Sequence, residues 1–541
     1  MKVQLINPPV FQNPNALTAL RPAPPLGLAY IAATLEGAGH TIDVIDAVAL
    51  APEKLFPQGK VVRRGLGPDE IIDRIDPAAD VIGVGNMWSF SWPLVRELLG
   101  GIRKRFPDKA IVCGGEHFNG LSRLSMEQAP IDYIVRGEGE ETTLELFAAL
   151  ESGKFDPATI QGIVWRRDGE IVMNEPRTRV KDIDKLSWPA WHFFDLDTYN
   201  AHSLVTGIDY GYMVPILATR GCPYSCTYCS SPRMWTTRWV PRDPVDVVDE
   251  IQTYVETYGA NNFPMQDLTA IIQKDWILSY CNEILNRGLD IRWQFPSGTR
   301  CEVIDEEVAP LLWKSGCRSL CYAPESGSEL TRKLIKKKMK KESLMSAVAA
   351  SVKAKLNITI FIVCGFPHDT DATMMENVRF ARELALAGVD DVALGFFFPI
   401  PNTELYDYLC EKGRMAPTDD NLLAPILATD RFVAPERNFC ENIPAWKMTL
   451  YRYLILLNFY PLSFITRPGR VWSIITNVLR GKEASKIEVF LNTRVRTIKR
   501  QLGLTVKEPA KPTLPAGGVR EPIRRKVKPT ELPPTPPVKA A

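Results

Sequence analysis

Along the first 150 or so residues, short apolar runs alternate with segments whose apolar positions recur every three or four residues. The runs Lys2–Ile6, Thr41–Ile45, Val81–Gly85, Ala110–Cys113 and Tyr133–Arg136 predict strands. The helical spacing predicts helices over Leu26–Gly37, Pro68–Ile75, Leu94–Phe106, Leu121–Gln128 and Glu141–Leu150, with Gly39 as a stop signal. Continuously apolar strands between amphipathic helices mean a parallel sheet covered on both faces. The expected fold class is therefore α/β, opening with a doubly wound parallel sheet. Its ligand edge should lie where strands end in Gly or Asn.

The pattern then shifts. Residues 160–190 read as a small β-linker, with Gly162–Arg166 and Glu170–Asn174 joined by an Asp168-Gly169 turn. A second alternation runs from about 213 to 410, with strands near 214–219, 262–266, 291–295, 318–323, 357–363 and 391–398. Six such units predict a partial or full β/α barrel, with its chemistry at the carboxyl ends of the strands. Residues 420–505 read as helical. Nine prolines among the last 36 residues, mixed with Lys, predict a disordered tail. The organisation so read is a first α/β domain over 1–155, a linker over 156–205, a barrel over 206–415, a helical region over 416–505 and a tail over 506–541.

Composition narrows the class. The chain has 541 residues, 45% hydrophobic and 24% charged, which excludes collagen-like, coiled-coil and wholly disordered chains. A net charge of +2 provides no global field toward nucleic acid. The tail alone carries eight Lys/Arg against three Glu. Eleven cysteines are too sparse for a disulfide scaffold. The opening MKVQLINPPV does not read as a secretory signal, and no run of 18 apolar residues exists. The expectation is a cytoplasmic, reduced protein, open to peripheral membrane association and without a nucleic-acid partner.

One motif stands out. The strand Pro215–Thr219 delivers a loop, Arg220-Gly221-Cys222-Pro223-Tyr224-Ser225-Cys226-Thr227-Tyr228-Cys229. Three thiolates this close can wrap one metal centre. A structural zinc site needs a fourth Cys or His, and none follows within 50 residues. Three ligands and one open position suit a 4Fe–4S cluster with an available iron. Cys113, Cys317, Cys321 and Cys364 lie in or beside predicted buried strands, where apolar packing is the default.

The loop resembles the signature of the radical S-adenosylmethionine (SAM) enzymes, Cys-x3-Cys-x-aromatic-Cys, with Tyr228 in the aromatic slot. The resemblance implies that Cys222, Cys226 and Cys229 hold a 4Fe–4S cluster, that SAM chelates the fourth iron, and that Tyr228 contacts the adenine. It extends along the later strand ends. Asp267 would face the SAM amino group, or serve only as a helix cap. Arg300 would reach the SAM carboxylate, or make a surface salt bridge. Glu325 and Ser326, in Glu325-Ser326-Gly327-Ser328, would line the SAM site, and the Gly365 backbone would approach the adenosine. Asn402 stands where the family often has Gly.

The N-terminal domain resembles the cobalamin-binding domain of cobalamin-dependent radical SAM enzymes. The likeness rests on Asn7-Pro8-Pro9, Pro25-Leu26-Gly27-Leu28, Gly114-Gly115-Glu116-His117 and Gly137-Glu138-Gly139-Glu140-Glu141-Thr142, in that order. It implies bound cobalamin, with Asn7, Gly114, Gly115, His117, Gly137 and Glu138 around it. A flat corrin needs strand ends that it can approach closely, which the glycines allow. Trp88 and Trp92 would shape the corrin floor or pack beneath a helix. His117 would ligate cobalt or act through hydrogen bonds.

Two further stretches leave alternatives open. Residues 445–480 combine seven aromatics with arginines; they read as a lid, an interfacial helix or a helical core. The Lys333–Lys341 run reads as a solvated helix face rather than an RNA or lipid patch. The family resemblance implies a cobalamin-dependent methyltransferase that reductively cleaves SAM and passes a methyl group through methylcobalamin to an unactivated carbon. It also implies a flavodoxin- or ferredoxin-type electron donor. The aromatic C-terminal stretch, poor in acidic clusters, suggests a small, largely apolar substrate, with an anionic group near Arg467 or Arg470. Alternatives are a ring-forming or ring-contracting enzyme like the anaerobic porphyrin-ester cyclases, a tRNA methylthiotransferase-like enzyme, and a non-catalytic cobalamin-binding regulator. The methylthiotransferase reading lacks its second cysteine set.

Overall fold

The computed structural model describes residues 1–16, 21–153 and 156–502. The expected disordered tail, 506–541, lies outside the described residues. The first sheet has seven strands, in the order Glu170–Met173, Ile163–Arg167, Tyr133–Val135, Ala110–Gly114, Val81–Gly85, Lys2–Asn7, Thr41–Asp46. The last five pair in parallel. The hairpin between residues 163 and 173 adds antiparallel at the edge.

Period-2 alternation explains the two covered faces. Val3, Leu5 and Val81 pack with Ala29, Leu35, Leu146 and Phe147 of helices Leu26–Gly37 and Gly139–Ser152. Ile6, Ile82 and Val84 point the other way, onto Ile71, Leu98, Ile102 and Met126. The chain begins mid-sheet, moves to Thr41–Asp46 on one side, then returns to Val81–Gly85 on the other. That reversal puts the ligand crevice at the carboxyl ends, near Asn7, Gly85 and Gly114. A small antiparallel sheet of Val10–Gln12, Leu55–Gln58 and Val61–Arg64 was not legible in the sequence, because its three- and four-residue strands are too short for a period to register.

The second sheet runs in sequence order, all parallel: Asn262–Pro264, Arg292–Thr299, Cys317–Glu325, Asn357–Cys364 and Asp391–Phe396. Met213 and Ile216 bridge in parallel to Asn262 and Met265, so an irregular first strand precedes these five, which are the second to the sixth of the barrel. Among the described residues no strand joins the two edges, so the barrel is partial. Helices such as Pro244–Tyr258, Lys274–Asn286, Lys341–Lys353 and Asp371–Ala387 cover its outside. Trp191, Phe194 and Leu196 from the connecting segment are buried in a core continuous with both sheets.

The C-terminal helices fit neither a simple lid nor a free interfacial segment. Helix Ala445–Thr466 packs along helix Asp371–Ala387 and runs the length of the barrel. At its start, Met448 covers Gly365, at the carboxyl end of the fifth strand. Near its end, Tyr460 donates to Asp391, at the beginning of the sixth. The stretch from Met448 to Tyr460, at about 1.5 Å per residue, spans that distance. Beyond it, Arg467 donates to Asp390 at 3.2 Å and Arg470 to Asp391 at 3.1 Å. The backbone N–H of Lys486 also donates to Asp391, at 2.8 Å. These helices therefore close the amino-terminal mouth of the barrel, opposite the cysteine loop. This corrects the expectation for Arg467 and Arg470: both are tied to the start of the sixth strand and face no substrate opening. No helix among the described residues is long and apolar enough to cross a membrane.

Burial raises the Asp391 carboxyl to about 6, with Arg470 opposing the shift. Arg470→Met should leave a buried, unpaired carboxylate and cost about 3 kcal/mol at pH 8. Below pH 6 the loss should shrink, because the orphaned group then takes up a proton and its charge disappears. Chemical denaturation of both proteins at pH 5 and pH 8 measures this.

Candidate active site between two sheets

Arg220, the residue before the cysteine loop, is fixed by the first domain. Its guanidinium donates to Glu140 at 2.5 Å, lies 3.5 Å from Glu138, and covers the Tyr30 ring. All three charged groups are buried. Glu138 accepts from Val180 N–H at 2.7 Å and pairs with Arg179, which also donates to the Trp235 carbonyl at 2.7 Å. The Gly137-Glu138-Gly139-Glu140 turn is thus clamped to both ends of the cysteine segment. Glu138 is committed to this clamp rather than open to a ligand. Next in the chain, Gly221 has φ +86°, and a side chain there would strike the Arg238 carbonyl and Arg179.

The loop 222–229 follows, with all three thiols free and half-buried. Burial raises the Cys222 and Cys229 thiols, the latter to about 12, and each neighbouring thiol adds to the rise. Without a cationic centre they stay protonated. Among the described residues no three His, Cys, Asp or Glu side chains are set to hold a single metal ion. Three half-buried thiols on one eight-residue loop fit a multi-iron centre, where each thiolate takes a different iron.

The lysine run is not a solvated face throughout. Its backbone straps the loop: Thr227 N–H donates to the Ile335 carbonyl at 3.1 Å, and the Lys336 carbonyl lies 3.8 Å from Cys226 Sγ. The Lys337 side chain turns inward, donating to Glu325 at 3.2 Å and to the Tyr228 hydroxyl at 3.3 Å. Tyr228 in turn donates to Glu325 at 2.9 Å. Glu325 itself has φ +66°, at a register shift in its strand. A run of like charges conceals which member folds inward, so the sequence could not single out Lys337.

Other expected residues are spoken for. Asp267 accepts from Ala218 N–H at 3.2 Å and from the Thr219 hydroxyl at 2.6 Å; burial raises its carboxyl to about 6. It pins the end of the first strand and caps no helix. Its neighbour Gln266 has an amide nitrogen that is buried and unpartnered, as does Thr299 its hydroxyl, at the end of the third strand. Buried polar groups without partners at strand carboxyl ends are what a polar ligand would satisfy. Arg300 donates to Glu302 at 3.0 Å and lies 3.9 Å over the Tyr224 ring, so it braces the cysteine loop rather than reaching the opening. Ser326 is fully buried, and its hydroxyl bonds Asn377 and Ser328 N–H to close the turn. Gly365, at φ +89°, has its N–H held by Asp369 at 3.1 Å.

On the first sheet, Asn7 donates to Asp46 at 2.8 Å within a cluster that includes Tyr199. Gly114 leaves room for a side chain, since the nearest atom to an added Cβ is 3.7 Å away. Gly115 does not: at φ +115°, its Cβ would lie 2.5 Å from the Asn86 carbonyl. Gly137 needs its φ of +75°, yet faces open space. His117 is 0% exposed, stacked on Trp92, with one ring nitrogen 3.1 Å from Ser89 Oγ and the other 3.2 Å from Ser125 Oγ. Burial lowers its pKa to about 3, so it stays neutral. Both nitrogens are taken inside the core, which removes His117 from the corrin surface. Trp92 is buried beneath its helix, whereas Trp88 is exposed.

The two strand-end regions meet. Glu116 bonds Ser230, the residue after Cys229, and burial raises its carboxyl. An added Cβ at Gly120 would lie 3.3 Å from Asn402, past the sixth strand. Sequence reasoning passed over Glu116, because only the docking of the two sheets makes it a junction residue. Near the sixth-strand end, Phe396, Phe397, Phe398 and Phe439 line a small pocket with Arg437.

Residues 14–147 match the B12-binding domain family, and residues 216–381 match the radical SAM superfamily. An anaerobic magnesium-protoporphyrin IX monomethyl ester cyclase of Synechocystis is 30% identical over 485 residues, spanning 88% of each chain. An uncharacterized methyltransferase of Pyrococcus horikoshii is 27% identical over 410 residues, 75% of this chain and 83% of that protein. In fold, the chain is similar to the radical SAM methyltransferase TsrM of Kitasatospora setae, solved with cobalamin and a 4Fe–4S cluster bound. The TM-score is 0.58 at 20% identity, over 76% of this chain and 75% of that one.

The glycine pair yields a contrast. Gly115→Ala should cost about 2 kcal/mol or more through strain and collision with Asn86. Gly114→Ala should leave stability unchanged. Thermal unfolding of the two variants beside the unaltered protein checks both.

Proposed function

The chain belongs to the cobalamin-dependent radical SAM enzymes, and from that premise we propose that it is a methyltransferase acting on an unactivated carbon of a largely apolar substrate. Its cofactors are a 4Fe–4S cluster, SAM and cobalamin. When bound, they supply an electron that cleaves the SAM sulfonium and a corrin that carries the methyl group. The protein's part is to hold and orient these groups and to keep water out.

Cys222, Cys226 and Cys229 hold the irons. Tyr228, Glu325 and the Gly365 backbone flank SAM. Lys337 takes the carboxylate-binding role expected of Arg300, and Gln266 with Thr299 offers the polar contacts expected of Asp267. Gly114 and Gly137 let the corrin approach, with Gly115 and Asn7 shaping the strand ends beneath it. The observation that carries this reading is the junction: Glu116 against Ser230, and Gly120 against Asn402, bring both sets of strand ends together. There a substrate carbon can lie within reach of both cofactors.

The apolar substrate is supported by the aromatic side chains of Phe396–Phe398 and Phe439, clustered past the sixth strand. A polar substrate would leave donors unpaired there, at about 1–3 kcal/mol each. Apolar substrates partition into lipid, which brings the enzyme to a membrane surface. The electron comes from a flavodoxin- or ferredoxin-type donor.

The Synechocystis relative favours a second reading, a cyclase that forms a ring without methyl transfer. Anaerobic turnover with methyl-labelled SAM and extracted lipids and pigments separates the two. A labelled product supports methylation; a cyclised, unlabelled product refutes it. Cys222→Ala/Cys226→Ala/Cys229→Ala should lose nearly all of its iron and release no 5′-deoxyadenosine. Lys337→Met should weaken SAM binding about tenfold while keeping its iron, as expected for loss of one charge-assisted bond. Equilibrium dialysis measures the affinity.

A further inference from the structure

Ten of the twenty-four large apolar side chains exposed among the described residues lie between residues 446 and 502. They are not scattered. Helix Pro468–Leu479 buries Ile474 toward the protein and presents Trp472, Ile475 and Leu479 outward. That is an i, i+3, i+7 stripe on one face. Trp472 is 69% exposed and Leu479 is 82% exposed. The next helix, Lys486–Gln501, packs on the first and repeats the pattern with Val495, Ile498 and Leu502. Single exposed hydrophobes need no explanation, but two stripes on neighbouring helices do.

Charge indicates what covers them. Arg480 and Lys482 stand exposed at the turn between the helices, and Lys499 stands exposed beside the second stripe. The sequence from 506 onward adds eight Lys/Arg against three Glu. Trp and aliphatic residues on one helix face, bordered by cations, form the composition that settles at a lipid–water interface. Other groups tie the segment inward: in the turn between the helices Glu483 pairs with Arg21 at 2.8 Å, Lys486 N–H donates to Asp391 of the barrel at 2.8 Å, and Glu488 accepts from Asn477 of the first helix at 3.0 Å.

We propose that helices Pro468–Leu479 and Lys486–Gln501 form a docking surface for an anionic lipid membrane. Because they close the amino-terminal mouth of the barrel, the surface tethers the enzyme from the end opposite the cysteine loop. Substrate therefore reaches the site from the side or from solution, not straight down from the bilayer. The inference stands on these helices and not on the substrate proposed above; an enzyme that binds vesicles but acts on a polar molecule leaves it intact.

The test is flotation of the full-length protein with phosphatidylcholine vesicles, with and without phosphatidylglycerol, at low and high salt. Binding should require phosphatidylglycerol and weaken with salt. Trp472→Ser/Leu479→Ser should lower the bound fraction about tenfold or more, since both side chains leave water on binding. The variant should unfold at the same temperature as the unaltered protein, because neither residue contributes to the core. Failure to float with either vesicle would overturn the proposal. So would equal binding by the variant, or a concentration-dependent dimer that this double substitution abolishes, which would make a second copy the occupant.

Discussion

The relation of the two sheets hangs on one buried ion cluster. Arg220 immediately precedes the cysteine loop; Glu138 ends the turn after strand Tyr133–Val135 of the other sheet, and Glu140 lies in the first turn of helix Gly139–Ser152. A buried pair adds little net stability, because desolvation offsets attraction. What it adds is exclusion: any other docking would strand a charge in the core. Tyr30 over the guanidinium and Arg179 across the loop tighten the same constraint. The cysteine loop is thus indexed to the carboxyl edge of the first sheet.

The rest of the molecule protects that arrangement. The barrel lacks closing strands, so helix Ala445–Thr466 and its successors do their work instead. They cover Gly365 at one end and neutralise Asp390 and Asp391 at the other. Arg452, on the buried face of this helix, donates to the Leu394 carbonyl at 2.9 Å and covers the Phe396 ring. The aromatic pocket beside Phe396 thereby inherits a rigid wall. The outer faces of the last two helices play no part in that packing, which leaves them free for another surface.

Residue roles at the site were less legible than the motifs. Asp267 and Arg300 read in the sequence as strand-end charges facing SAM, whereas in the structure they hold the first strand and the cysteine loop. Side chains alternate along an extended segment, so Asp267 pins the first strand while the adjacent Gln266 keeps a buried, unpartnered amide. His117 carried the same ambiguity: a glycine-rich turn followed by His reads equally as a ligand or as a core side chain. Only the serines on both of its nitrogens decide that.

What the sequence determined by itself was local and periodic. Alternating apolar runs fix two parallel sheets, because burial on both faces leaves no other way to satisfy them. Three cysteines within eight residues fix a loop of three thiols, because chain length alone keeps them together. What only the tertiary structure decided was anything that depends on two distant segments meeting. The pairing of Arg220 with Glu140, the inward turn of Lys337, the place of Glu116 and the fate of Arg467 and Arg470 all belong to that class. Each is a charged side chain whose partner lies tens to hundreds of residues away, apart from the short reach of Lys337 to Glu325. Hydrophobic pattern does not encode charge partners; the docking of two finished sheets does.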